Sequence, residues 1–183
     1  MKRYGNRPPR WSLAAIAVGE KMAELADLLP AGISILEVGS GRTDPREIVS
    51  YMAFDGKFSS YTTLDFDERF QPDLVADITK CPQIPDSSYD VVVCSEVLEH
   101  VFDFGVALSE LHRVAKKALI ITTPFQYPYH AIPEDYWRYS PTALERLLDD
   151  WLYVETGFME NFHHSWAVAT DDDEIIECLL TKG

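Results

Sequence analysis

One glycine turn and three acidic residues are the first candidates for chemistry in this chain. Glu37-Val-Gly39-Ser40-Gly41 closes an apolar run, and two further carboxylates, Asp65 and Asp77, each end an apolar run of their own. Glycines in such a turn let the backbone pass close to a ligand, because a Cβ would occupy the ligand's space. Asp65 stands 26 positions beyond Gly39. A carboxylate there accepts hydrogen bonds from both hydroxyls of a ribose, each contributing roughly 1.5–3 kcal/mol. Asp77 is followed by Ile78, so the acid suits an adenine amino group while the isoleucine packs on the ring. A dinucleotide fingerprint requires a third glycine, yet Arg42, Thr43 and Asp44 follow Gly41. Asp44 also sets a negative charge where a pyrophosphate would need a bare helix N-terminus. The pattern disfavours NAD or FAD and suits a nucleoside without phosphates. S-adenosylmethionine is such a ligand, and its sulfonium and ammonium tolerate Glu37 and Asp44.

The elements that must position these residues read as strands alternating with helices. A helix is expected from Ser12, as N-cap, to about Leu29, ended by Pro30-Ala-Gly32. Ile33 to Val38 reads as the first strand, and Asp44-Pro-Arg-Glu47 as a capping box that restarts helix. Strands follow at Tyr61–Leu64, Asp73–Ala76 and Tyr89–Cys94, the last apolar throughout, as a strand buried on both faces should be. Helical spacing resumes from Asp103 to about Ala115; Ala118–Thr122 is a fifth strand, and Ser140-Pro141 starts a helix to about Asp150. Trp151–Val154 resembles a sixth strand, and Ile176–Leu180 is read as a closing strand, with a helix capped by Asp171–Glu174 as the alternative. Together these imply an α/β fold: a Rossmann-like, doubly wound, mostly parallel seven-stranded sheet with helices on both faces. The organisation is a single domain over 1–183, with an N-terminal arm and helix to 30, a cofactor-binding half over 31–123 and acceptor-side elements over 124–183. Ligands on such sheets sit beyond the carboxyl ends of the strands, where the glycine turn, Asp65 and Asp77 all lie.

In this arrangement the chain resembles the class I S-adenosylmethionine-dependent methyltransferases, in the branch called methyltransferase type 11. Glu37 to Gly41 is similar to that family's glycine-rich first motif, Leu64-Asp65 to its ribose-binding acid, and Ala76-Asp77-Ile78 to its adenine-binding segment. Tyr89-Asp-Val-Val-Val-Cys-Ser-Glu-Val-Leu-Glu-His-Val101 resembles the fourth-strand motif, which lines the methionine moiety and the acceptor site. The likeness covers roughly residues 31–150 in the family's order; Thr43 departs from it where many members carry a third glycine. It implies an enzyme that binds S-adenosylmethionine through Glu37, Gly39, Ser40, Gly41, Asp65, Phe66, Asp77, Ile78, Ser95 and Glu96. S-adenosylhomocysteine is the implied product.

Methyl transfer from a sulfonium is an in-line displacement with an activated donor, so the protein mainly aligns the acceptor and excludes water. A general base is needed only when the acceptor loses a proton on attack. Two segments offer candidates. Glu99-His100 follows the fourth strand; the plain structural alternative is a capping or sheet-edge pair. Phe125 to Tyr139 is an aromatic, proline-stiffened loop carrying His130, Asp135 and Arg138, whose plain alternative is a lid that touches no acceptor. Aromatic rings with a few polar groups suit a ring-shaped or sugar-like acceptor, and the loop resembles one in family members encoded among polysaccharide-building genes. His130 is the candidate base or orienter, with His100 and Glu99 beside it. His163-His164 near Asp171–Asp173 invites a metal reading, but adjacent side chains on an extended segment point oppositely, and no metal site is expected.

Sixteen Lys and Arg against thirty Asp and Glu give a formal net charge of −14. Such a field repels phosphate backbones, so a nucleic acid acceptor is disfavoured. Cys81, Cys94 and Cys178 are never in C-x-x-C spacing and read as reduced thiols of a cytoplasmic protein. The basic residues before Leu13–Val18 imitate a signal peptide, but Glu20 and Lys21 end that run early. No run reaches the ~18 apolar residues of a membrane span. The leading reading is an active methyltransferase for a small-molecule or glycan-type acceptor. The alternative is a cofactor-binding, methyltransferase-like subunit that needs a partner for catalysis. No large inserted cap is visible, leaving the acceptor mouth to a partner or to a second copy in a homodimer.

Overall fold

The computed structural model describes residues 13–42, 44, 48–131, 133–159 and 163–182. Seven strands form one sheet in the order β3-β2-β1-β4-β5-β7-β6. They are β1 (Ile33–Val38), β2 (Phe58–Asp65), β3 (Leu74–Val75), β4 (Tyr89–Ser95), β5 (Ala115–Pro124), β6 (Tyr153–Phe158) and β7 (His164–Thr170). β1 to β5 are parallel, while β7 runs antiparallel to both β5 and β6. Among the described residues five α-helices accompany them: α1 (Leu13–Ala26), α2 (Val49–Ala53), α3 (Phe104–Val114), α4 (Pro141–Leu147) and α5 (Asp173–Lys182). The strand order reverses between β1 and β4, which places a crevice beyond their carboxyl ends.

Strand side chains alternate between two cores. Ile33, Ile35, Val91, Val93 and Ile120 face α1, which buries Val18, Met22, Leu25 and Ala26. Leu36, Val38, Val92, Cys94, Leu119 and Ile121 face the other way, onto Leu108, Leu111 and Val114 of α3 and Leu144 of α4. Burial on both faces explains the continuous Val and Ile runs of the central strands. At α4, Ser140 is the N-cap, its side chain accepting from the Ala143 amide, and Pro141 takes the first turn, where its missing N–H costs nothing. All three cysteines are unpaired. Among the described residues no helix is long and apolar enough to cross a membrane.

Several expectations change. Ile176–Leu180 is not a strand but lies within α5, because Asp172 caps that helix through the amides of Glu174 and Ile175, and Ile175 and Leu179, four residues apart, enter the α1 core. The seventh strand is instead His164–Thr170, buried at every position between β5 and β6. α1 ends at Ala26 rather than Leu29, α2 starts only at Val49, and β2 begins three residues earlier than Tyr61. The N-terminal arm, the Ser12 cap, Thr43 and Pro45–Glu47 of the capping box lie outside the described residues.

Candidate active site

β1 delivers the chain into the glycine turn with Gly39 at φ +73° and Gly41 at φ +54°, left-handed conformations that favour glycine. The Gly39 amide donates to the Leu64 carbonyl at 2.8 Å, tying the turn to β2. A Cβ on Gly41 would meet nothing nearer than the Gly39 oxygen at 3.8 Å, so that side of the turn stands open. Asp65 closes β2 and is buried; its Oδ2 accepts from the Gly41 amide and its Oδ1 from the Asp67 amide, both at 2.9 Å. Asp77 is exposed, with Oδ1 accepting from the amide and hydroxyl of Thr79, while Ile78 is buried beside it.

A cleft of about 750 Å³ runs along these strand ends. Gly39, Gly41, Asp65, Phe66, Asp77 and Ile78 line one part of it, and Glu96, His100, Phe102 and Tyr136 another. Phe102 and Tyr136 pack edge to face, 5.3 Å between centroids, and present their rings to this space. Glu37, Ser40 and Ser95 do not line the cleft. Ser95 is spent on Thr122, hydroxyl to hydroxyl at 2.8 Å.

Glu37 shares the face of β1 that carries Ile33 and Ile35. Its Oε2 accepts from Ser50 Oγ at 2.5 Å and Tyr61 Oη at 2.8 Å. Burial pushes the Glu37 carboxyl up to about 7, the two hydrogen bonds only partly opposing it. The folded chain therefore binds a proton that the unfolded chain releases between pH 4.5 and about 7. The resulting stability is full below pH 4.5 and falls as pH rises through that window, by about 3 kcal/mol. Glu37→Gln removes this term. Urea unfolding from about pH 4 to pH 8 should show wild-type stability declining relative to the variant; parallel profiles would mean Glu37 ionises normally.

The other wall of the cleft is built by the turn after β4 and the loop after β5. The amides of Tyr136 and Trp137 donate to the Glu99 carbonyl at 2.7 and 3.3 Å, and Trp137 Nε1 donates to the Val101 carbonyl at 3.1 Å. His100 Nδ1 donates to the Glu134 carbonyl, fixing the loop to the Leu98–His100 turn. Within the loop Asp135 accepts from the His130 amide at 2.8 Å and from both terminal nitrogens of Arg138. That guanidinium holds the Asp135 carboxyl well below the usual carboxylate range. The His130 ring lies 5.0 Å from the His100 ring and 5.5 Å from Tyr127.

Glu99 is fully buried, and burial together with the Glu96 charge raises its carboxyl well above the ordinary value. His164, at the start of β7, reaches Glu96 with Nε2 to Oε2 at 3.2 Å. The sequence named Glu96 and the two histidines but not their pairing, since β7 was unrecognised and nothing local joins residue 96 to residue 164. Glu96 itself holds φ +57°, uncommon for a side chain with a Cβ, and its amide donates to Thr122 in β5 at 2.8 Å.

These features fit a cationic nucleoside. Glu96 Oε1 and Ser40 Oγ are buried without a hydrogen-bond partner among the described residues. Acids surround the glycine turn at β1, β2, β3 and the end of β4. The methyltransferase domain family model matches residues 36–121. No curated protein matches the chain in sequence. Among solved structures, an S-adenosylmethionine-dependent methyltransferase from Aquifex aeolicus is 19% identical with a TM-score of 0.61, covering 88% of this chain and 94% of that one. One from Archaeoglobus fulgidus is 14% identical with a TM-score of 0.64, covering 85% and 94%. A chain from the complex between the Haloferax volcanii Trm112 methyltransferase activator and a methyltransferase is 15% identical, with a TM-score of 0.62 and coverage of 86% and 94%. At these identities the solved structures speak to the fold, and the matched domain speaks to the family. Residues 36–121 therefore match a methyltransferase domain of the type 11 family, set on a fold that solved S-adenosylmethionine-dependent methyltransferases share.

Proposed function

We propose that the chain transfers a methyl group to a hydroxyl of a small-molecule or glycan-type acceptor held between the turn after β4 and the loop after β5. The observation that carries this reading is the single cleft joining Asp65 and Asp77 to His100, Phe102 and Tyr136. Asp65 would hold the ribose, Asp77 and Ile78 the adenine ring, and Glu96 the cationic methionine end, with Phe66 forming the exposed wall. Glu37, hydrogen-bonded to Ser50 and Tyr61 behind β1, would act by bracing the strand that ends in the turn. When bound, S-adenosylmethionine supplies a methyl group already activated on sulfonium. The chain's own contribution is then to align the acceptor and exclude water, which the aromatic rings of Phe102 and Tyr136 suit.

His130 does not itself line the cleft, but its ring lies 5.0 Å from that of His100, which does, and its Nδ1 lies 3.9 Å from the Asp135 carboxylate. It would accept or orient the acceptor proton. His130→Ala should leave cofactor affinity nearly intact while lowering turnover, as measured by calorimetry alongside a methyl-transfer assay on sugar acceptors. Loss of cofactor binding in that variant would move the loop to the donor site.

The donor half is tested by calorimetric titration with S-adenosylmethionine, S-adenosylhomocysteine and NAD. Binding of the first two and none of NAD is the expected result; binding of none would leave a scaffold without cofactor. A second reading, a subunit that needs a partner for catalysis, is favoured by the Haloferax structure, where the similar fold comes from a complex with an activator. Full turnover by the purified chain, monomeric or homodimeric by light scattering, would exclude it.

A further inference from the structure

We propose that Glu99, His100 and His130 form a binding site for one divalent transition-metal ion at the acceptor end of the cleft. One ligand atom from each lies within 4.8 Å of the other two. Ligands held ~2.0–2.1 Å from a tetrahedral ion stand about 3.4 Å apart, and His100 Nε2 is already 3.5 Å from Glu99 Oε1. Small side-chain adjustments of His130 complete the set.

Three further observations point to an ion. Glu99 is wholly buried, and neither carboxylate oxygen has a hydrogen-bond partner among the described residues. A buried carboxylate without partners is expensive, and coordination is one way to satisfy it. The second observation is tautomeric: a carbonyl only accepts, so the contact with Glu134 puts the proton of His100 on Nδ1 and leaves the Nε2 lone pair toward Glu99. Metal-binding histidines are held in just this way by an outer carbonyl or carboxylate. His130 has a looser counterpart: its Nδ1 lies 3.9 Å from Asp135, whose carboxylate is fixed by Arg138 and by the His130 amide. The third is access: His100 lines the cleft, so an ion there would keep coordination positions for outside ligands. Two imidazoles and one carboxylate suit Zn²⁺, Co²⁺, Ni²⁺, Mn²⁺ or Fe²⁺ better than Ca²⁺ or Mg²⁺. The open positions would take acceptor oxygens; that role rests on the acceptor reading above, whereas ion binding does not.

The test uses untagged, chelator-treated protein titrated with Co²⁺, read by its visible d–d bands, with Zn²⁺ as competitor. One Co²⁺ per chain, displaced by Zn²⁺, is the expected result. Glu99→Gln and His130→Ala should each weaken Co²⁺ binding by roughly 10- to 100-fold while S-adenosylmethionine affinity, measured calorimetrically, stays at the wild-type value. Retained cofactor affinity shows that the variant is folded. Should Glu99→Gln fail to fold, His130→Ala, at a half-exposed loop position, decides alone. Absence of Co²⁺ binding by the wild type, or binding unchanged in His130→Ala, would overturn the site, and neither outcome bears on the cofactor half.

Discussion

Replacing Asp65 with alanine is expected to weaken S-adenosylmethionine and S-adenosylhomocysteine binding by at least ~10-fold, and the free energy behind that figure is about 1.4 kcal/mol. The carboxylate serves two purposes at once. It accepts the amides of Gly41 and Asp67 at 2.9 Å each, pinning the glycine turn on one side and the segment after β2 on the other. It also lines the cleft, where ribose hydroxyls would donate to its remaining lone pairs. A hydrogen bond to a charged group contributes roughly 1.5–3 kcal/mol, so loss of even one accounts for the expected change. Alanine also leaves the Gly41 amide without its acceptor and loosens the turn. Asp65→Asn separates the two roles, because the amide oxygen still serves one backbone donor while its NH₂ confronts the other. Calorimetric titration of both variants, with melting curves as a folding control, measures the effect. Unchanged affinity in Asp65→Ala would place the ribose acid elsewhere.

The half of the molecule that carries Asp65 was legible because its signals are local. β1 and β4 are short apolar runs buried on both faces, the turn between β1 and α2 announces itself by glycines, and the acids follow strand ends directly. The other half depends on contacts distant in sequence. β7 contains His164, Ser165 and Thr170 among its buried residues, so its composition does not read as a core strand until β5 and β6 flank it. Ile176–Leu180 offered both periods; Ile175 and Leu179 entering the α1 core decided for helix. Glu37 shows what the period-2 rule already contained. Ile33, Ile35 and Glu37 share one face of β1, so its carboxylate was bound to meet Ser50 and Tyr61 behind the sheet. Likewise Glu99 and His100 were read as a sequence pair, but their meeting with His130 requires the loop after β5 to fold back over the turn after β4.

Among the described glycines, Gly39→Ala should be the most damaging substitution. An alanine Cβ there would sit 2.2 Å from Val97 Cγ2, far inside contact distance, at a φ of +73°. The left-handed conformation alone costs an L-residue roughly 1–2 kcal/mol, and relieving the overlap typically adds 1–3 kcal/mol. Val97 follows Glu96 and begins the turn that carries Glu99 and His100. Pushing it aside therefore disturbs both walls of the cleft together, and cofactor affinity should fall with stability. The two costs separate in a double mutant. Val97→Ala deletes both methyl groups and leaves the Val97 Cβ at 3.4 Å from the new atom, an ordinary contact. Gly39→Ala in the Val97→Ala background should then lose only the backbone term of roughly 1–2 kcal/mol. Urea unfolding of the four proteins gives a coupling energy, expected at about 1–3 kcal/mol for residues in direct contact. Additive effects would mean that the turn relaxes away from Val97, and the strain would then have to be carried by the backbone of the glycine turn itself.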